Sequence, residues 1–238
     1  MPAKDLTMDV QLPSVPGLLY VNSKITSPSF SADLFTRWYE EVHIPDIFET
    51  SGIKAAFRYQ STTPDSVERP YLALYPLKDL SFLQTDEFKS IPVHSDILPG
   101  PSHAVFDVAD FDTRYYSLEK SFTGPKKSNT GPARFVLSVG LRPSIPDEDV
   151  EAKFDSYEAV AMGVKTSRSR LLKLQFARQN RLPNDEKKLE EPPGWLVLHE
   201  FETEDTLKEI TQKLDGTHID ASVGAFRLLK AFGDVDGA

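Results

Sequence analysis

The chain of 238 residues repeats itself, and the repeat limits the folds open to it. Phe35, Trp38, Lys54, Phe57 and Gln60 recur as Phe154, Tyr157, Lys173, Phe176 and Gln179, each pair 119 residues apart. A second match sets Tyr71-Leu72-Ala73-Leu74-Tyr75 against Trp195-Leu196-Val197-Leu198-His199 at a displacement of 124, which puts a short insertion in the second copy's loop around 180–193. An internal repeat of this length has to be read first, because it fixes how many units share the chain.

Around these anchors the elements come in one order, twice. In the first copy, apolar and polar residues alternate with the period of a half-buried strand over 18–26, 53–60, 71–75 and 103–108. Helices are predicted at 35–45 and 79–88. In the second copy the strands are 134–142, 171–179, 195–201 and 225–232, and the helices are 147–161 and 205–214. Each copy is βαββαβ, the order of a ferredoxin-like unit whose four-stranded antiparallel sheet carries two helices on one face. The expected fold class is therefore α+β, with an irregular, proline-bearing arm at 1–16, a first unit at 17–121, a Gly/Pro/Ser linker at 122–132 and a second unit at 133–238.

Composition narrows the partners. A net charge of −9 opposes binding to a nucleic-acid backbone, which depends on lysine and arginine displacing counterions. No apolar run approaches the roughly 20 residues of a membrane helix, and no basic start with an apolar segment behind it is seen, so a cytoplasmic protein without membrane contact is expected. The absence of cysteine rules out disulfides, thiolate nucleophiles and cysteine-ligated metals. The five histidines show no His-x(3)-His spacing, and there is no G-x-G-x-x-G, P-loop or G-x-S-x-G sequence, so neither a metal nor a nucleotide cofactor is expected.

The copies differ where chemistry would sit. Leu34, Phe35, Trp38 and Val42 form an apolar stripe on the helix 35–45, and Pro45 is expected to end that helix just after His43. At the displacement of 119, His43 falls on Met162, Glu40 on Ala159, Glu41 on Val160 and Pro45 on Val164, so the second copy keeps the packing residues and drops the polar ones. One site, in the first unit, is the expectation.

Phe35, Trp38, His43 and Pro45 in this spacing, aromatic-x-x-aromatic-x(4)-His-x-Pro behind a strand, resemble the dimeric α/β-barrel superfamily and its EthD-like branch. The resemblance implies that two ferredoxin-like units pair their sheets into a closed barrel, here within one polypeptide, so that the chain is a monomer with an internal pseudo-dimer or a homodimer. It also implies a hydrophobic pocket between helix and sheet for an aromatic or polyketide-like small molecule. Lactone isomerases, cofactor-free monooxygenases, polyketide cyclases, decarboxylases and dye-type peroxidases share that fold, so the fold does not choose the reaction.

Histidine titrates near neutrality and can both remove and return a proton beside a carbonyl, which makes His43 the candidate general base and acid. It can equally be a histidine at a helix C-terminus. Glu40 and Asp46, three residues to either side, can orient it through a hydrogen bond or simply solvate the helix face. Tyr20, Asn22, Tyr71 and Tyr75 are expected on one side of the sheet, with Tyr20 and Tyr75 stabilising an enolate and the others binding substrate; as buried aromatic residues they can also simply line a core. Trp38, Tyr39 and Arg58 complete the expected binding set, Arg58 being either an anion binder or equally a solvated strand residue, and Trp195 and His199 hold the equivalent places in the second copy, with His199 a reserve acid/base candidate. The expected activity is a cofactor-independent cyclase, isomerase or decarboxylase working by proton transfer, with a cofactor-free oxygenase or a non-catalytic ligand-binding barrel as alternatives.

Overall fold

The computed structural model describes residues 11–124, 131–141, 149–150, 154–155, 167–180, 191–215 and 221–235. Four strands come from the first half of the chain: β1 (Gly17–Ile25), β2 (Ala55–Ser61), β3 (Tyr71–Leu77) and β4 (Ala109–Thr123). Four come from the second: β5 (Phe135–Leu141), β6 (Arg168–Asn180), β7 (Trp195–Phe201) and β8 (Ala221–Gly233). All eight close into one antiparallel barrel in the order β1-β3-β2-β8-β5-β7-β6-β4. Each half contributes the same spatial sequence, β4-β1-β3-β2 and β8-β5-β7-β6, and β7 reproduces β3 residue for residue at a displacement of 124. The seams between halves are β2–β8 and β4–β6.

Alternation along the strands sorts side chains into an inside and an outside. Leu18, Tyr20, Phe57, Leu72 and Leu74 meet Val136, Leu172, Leu196 and Leu198 inside the barrel. Outside, the first half's sheet carries Leu19, Val21, Ala73 and Tyr75 against Phe35, Trp38, Ile44 and Ile47 of the overlying helix. Phe35 and Trp38 are buried to 0% and 2% exposure; burying side chains of this size stabilises the helix on its sheet by about 2–3 kcal/mol each. The second half's outer face packs Leu137, Val139 and Val197 on Phe154, Leu207 and Ile210, the last two from helix α4 (Glu204–Asp215).

The helix carrying the motif does not end at Pro45. α1 (Ala32–Trp38) starts at Ser31, whose Oγ accepts from the Leu34 N–H at 3.1 Å. It widens into a π turn over Tyr39–His43 and continues as α2 (Ile44–Phe48). Proline has no N–H and its ring crowds the carbonyl four residues back. The chain accommodates it by taking an extra residue into the preceding turn, so that the Ile44 N–H reaches the Tyr39 carbonyl five residues away, and Pro45 stands in the first turn of α2, where its missing N–H costs nothing.

Other boundaries also move. The helix expected at 79–88 is a 3-10 turn, Leu80–Gln84, followed by the short α3 (Asp86–Lys89), each opened by a side-chain cap from Asp79 and Thr85. The strand expected at 103–108 is absent. His103 has φ +53, Val105–Asp107 is a 3-10 turn, and β4 begins only at Ala109. β4 then runs on to Thr123, so residues 122–123, expected in the linker, belong to the barrel. Within the arm, Leu12 is buried and its N–H donates to Gln84 Oε1 at 2.7 Å. The expected helix 147–161 lies mostly outside the described residues, as do the positions facing His43 and Glu40 in the repeat. Among the described residues no helix is long and apolar enough to cross a membrane.

Candidate functional site

The β1–β3 register decides which expected site residues can meet. Leu19 pairs with Tyr75, Val21 with Ala73 and Ser23 with Tyr71, whereas Tyr20 pairs with Leu74 and Asn22 with Leu72. Residues directly opposite in a ladder share a face. Tyr71 and Tyr75 therefore lie outside, beneath the helix, and Tyr20 and Asn22 project into the barrel; the four do not share one side as expected. Tyr20 faces the second half of the chain, its hydroxyl 3.2 Å from Ser138 Oγ. Its ring meets Tyr116 edge-on at 6.1 Å and sits under the Arg114 guanidinium, which two hydrogen bonds of 3.0 and 2.7 Å clamp to Asp112. Asn22 donates through Nδ2 to the Tyr71 carbonyl at 3.2 Å.

Arg58 of β2 pairs with Ala73 and so shares the outer face with Tyr71 and Tyr75. It is 3% exposed, with its guanidinium 4.8 Å from the centre of the Tyr39 ring and 5.7 Å from that of Phe35. Nη1 donates to Glu40 Oε1 at 2.9 Å, while Nη2 is buried without a hydrogen-bond partner. The second oxygen of Glu40 takes Lys230 Nζ, from β8, at 2.7 Å. Glu40 sits in the π turn, so that turn ties the helix to both β2 and β8. It does not orient His43.

Tyr39 and Tyr75 hydrogen-bond to each other beneath Arg58. Burial raises the Tyr39 phenol to about 12 against a smaller opposing pull from Arg58, and burial likewise pushes Tyr75 well up. Both are neutral at any working pH, one hydroxyl donating to the other. A cleft bounded by Ser23, Phe35, Tyr39, Arg58, Tyr71, Leu72 and Ala73 measures about 150 Å³ counting its open mouth, and it is too tight for a water molecule. Tyr71, half-buried at the rim, lies 4.9 Å from the Phe35 ring.

His43 stacks flat on Trp38, ring centres 4.6 Å apart, and meets the edge of Tyr39 at 5.5 Å. It is not part of the cleft wall; Tyr39 is the side chain that touches both. Burial lowers its pKa to about 4, offset in part by a hydrogen bond with the Pro92 carbonyl, and Nδ1 is buried without a partner. At neutral pH the ring is uncharged. Asp46 is half-buried, and burial, then the neighbouring Glu49, raises its carboxyl.

Trp195 and His199 belong to the outer face of the second half's sheet, apart from the Arg58 cluster. His199 is wholly buried with Nδ1 2.8 Å from Ser169 Oγ, and Trp195 lies under Lys173 Nζ at 4.9 Å. Tyr39, Arg58 and Tyr71 thus meet at one cleft, with Tyr75 behind them and Trp38 and His43 alongside. Ser23 and Lys230 also belong to this cluster and were not anticipated; no local pattern marks them, because only the strand pairing brings them near. Among the described residues no group of three His, Asp or Glu side chains is placed to hold a metal ion.

A closed eight-stranded antiparallel barrel with a helix packed across one outer face resembles the dimeric α/β-barrel fold. A candidate monooxygenase of Fusobacterium nucleatum subsp. nucleatum ATCC 25586 superposes with a TM-score of 0.55 at 10% identity, covering 93% of this chain and 96% of that one. An anthrone oxidase-like protein gives 0.53 at 12% identity, covering 92% and 93%. More specifically, the chain is 30% identical over 199 residues to core atranone cluster (CAC) protein 1 of Stachybotrys chlorohalonatus (strain IBT 40285), across 79% of this chain and 83% of that protein, and it belongs to the same family. No family profile matches it.

Proposed function

We propose that this protein is a cofactor-independent oxygenase of secondary metabolism, acting on a hydrophobic, enolisable aromatic or polyketide-like carbonyl compound at the Arg58 cleft. The barrel is read as two fused ferredoxin-like units of the EthD-like kind, with the working site in the first. The observation that carries the reading is the buried Arg58, whose Nη2 is unpaired at a cleft walled by aromatic rings. A guanidinium held in apolar surroundings is strongly attracted to negative charge and is preorganised to receive it. An enolate oxygen on a substrate ring supplies that charge. The cleft is too small for such a ring as it stands and has to open to admit it.

Arg58 lines the cleft and His43 lies behind Tyr39, so His43 serves as the base for a substrate that reaches past Tyr39 when the cleft opens. An imidazole with its pKa near 4 is uncharged and able to accept a proton, but it is a weak base. The substrate's carbon acid has to be made stronger, and Arg58 does this by holding the enolate oxygen. The resulting carbanion reduces O2. A methylene flanked by activating rings becomes a carbonyl, with one oxygen atom retained in the product and the other leaving as water with the two hydrogens. The name of the anthrone oxidase-like neighbour and the cluster membership of the relative are consistent with this chemistry.

Anthrone is a suitable first substrate in an oxygen electrode. Arg58→Met is expected to lower kcat/KM by about 10²–10³, the usual loss on removing an oxyanion donor, and chelator treatment to change nothing. Unchanged turnover in Arg58→Met sinks the assignment. A cyclase or isomerase shares the same first step and is favoured by the neutral Tyr39–Tyr75 pair, which can return a proton to carbon. Substrate loss without oxygen uptake would select it.

A further inference from the structure

The β2–β8 seam contains a β-bulge beside the cleft. Tyr59 pairs with Leu228 and Arg58 with Lys230, so Leu229 is the extra residue, left 42% exposed. If the register of Tyr59–Ser61 ran on unbroken, Leu229 would stand opposite Arg58; the bulge puts Lys230 there. Leaving a leucine in water does not favour folding, whereas bulges beside active sites serve to re-aim a side chain. Here the re-aimed side chain is Lys230, which lies 5.0 Å over the Phe232 ring and reaches Glu40 Oε2 at 2.7 Å.

We infer that Lys230, contributed by the second half of the chain, is a positioning residue for the first half's site, and that it fits the site to a ligand bound as an anion. The inference rests on the Arg58 reading above. A carboxylate facing a guanidinium prefers to take both of its terminal nitrogens in a fork. Glu40 takes only Nη1 and turns its other oxygen to Lys230. Arg58, a residue of the cleft wall, thus keeps Nη2 without a protein partner. The same arrangement sets the local charge: two cations and one carboxylate leave a surplus of one positive charge, which only an anionic ligand neutralises. A phenolate, a ring carboxylate or the enolate of a ketone deprotonated in the site meets that requirement.

The test uses 4-nitrophenol, a single-ring probe whose colour reports its ionisation, titrated from low to high pH with the intact protein. Wild type is expected to bind the anion in preference, shifting the ionisation midpoint of the bound probe below that of the free probe. Lys230→Met is expected to return most of that shift, weakening anion binding about tenfold, while Lys230→Arg retains it. Equal melting temperatures of the three proteins establish that this half-exposed site tolerates the changes. Two results overturn the inference: a bound probe whose midpoint is the same in wild type and Lys230→Met, or a probe that binds only as the neutral phenol or not at all. The oxygenase reading is judged separately by oxygen uptake, so either can fail while the other stands.

Discussion

Acid should destabilise this protein through His43, by an amount the structure allows us to work out. The folded-state pKa is about 4 and the unfolded value about 6.5, with burial as the main cause. The unfolded chain therefore binds a proton that the folded chain refuses, and stability is fully present above about pH 6.5 and drains away as pH falls towards 4. Between pH 7.5 and pH 4.5 linkage gives a loss of about 2.5 kcal/mol as a ceiling, and about 2 kcal/mol once the partial solvent contact of the ring is allowed for. Carboxylates titrate in the same window, so a reference is needed. His43→Phe keeps a flat ring on Trp38 and removes the titration, and the difference between the two proteins isolates the histidine. Urea unfolding at both pH values should show wild type losing about 2 kcal/mol more than His43→Phe, and the His43 ring signal in NMR should titrate well below 6. Equal losses in the two proteins, or a midpoint at or above 6.5, would refute the burial argument and restore His43 as an ordinary strong base.

Two further outcomes test the barrel itself. Gly233 has φ +77, and a Cβ there would stand 2.1 Å from the Lys54 carbonyl, a backbone atom at the β2–β8 seam; Gly233→Ala should cost about 2 kcal/mol or more and lower the melting temperature by about 4–8 °C in calorimetry. The buried Tyr20–Ser138 hydrogen bond crosses between halves, and a double-mutant cycle with Tyr20→Phe and Ser138→Ala should return a coupling of about 1 kcal/mol in chemical denaturation.

The elements were legible because strands and helices announce themselves locally. Alternation located seven of the eight strands to within a few residues, and each half of the chain contributes one run of four strands to the barrel. β4 was misplaced because its predicted start, His103 to Val108, is apolar enough to resemble a strand while its backbone is turned. The end of the motif helix was misjudged for a different reason. Proline does forbid a regular continuation, but a π turn is a second way to satisfy it, and nothing in the residues themselves selects between stopping and widening.

The site was less legible, since it is made by register. Tyr20 and Tyr75 each sit in a clear period-2 pattern, yet the relation between the two patterns depends on which residue of β1 faces which residue of β3. A shift of one position exchanges inside for outside, and that is the error made for Tyr20 and Asn22. Glu40 has a local candidate partner, His43, in the sequence, whereas its partners in the structure are 18 and 190 residues away. Arg58 was read as an anion binder or a solvated strand residue. Its burial and unpaired nitrogen support the first.

Closing the barrel within one polypeptide has a consequence for dilution. When a barrel is assembled from two separate chains, its seams are lost at low concentration by mass action, and a site that borrows a residue across a seam is lost with them. Here β2–β8 and β4–β6 join parts of the same molecule. The partner strand is always present at the effective concentration set by the tether. The Glu40–Lys230 contact across β2–β8 should therefore persist at nanomolar protein, and specific activity should be independent of enzyme concentration.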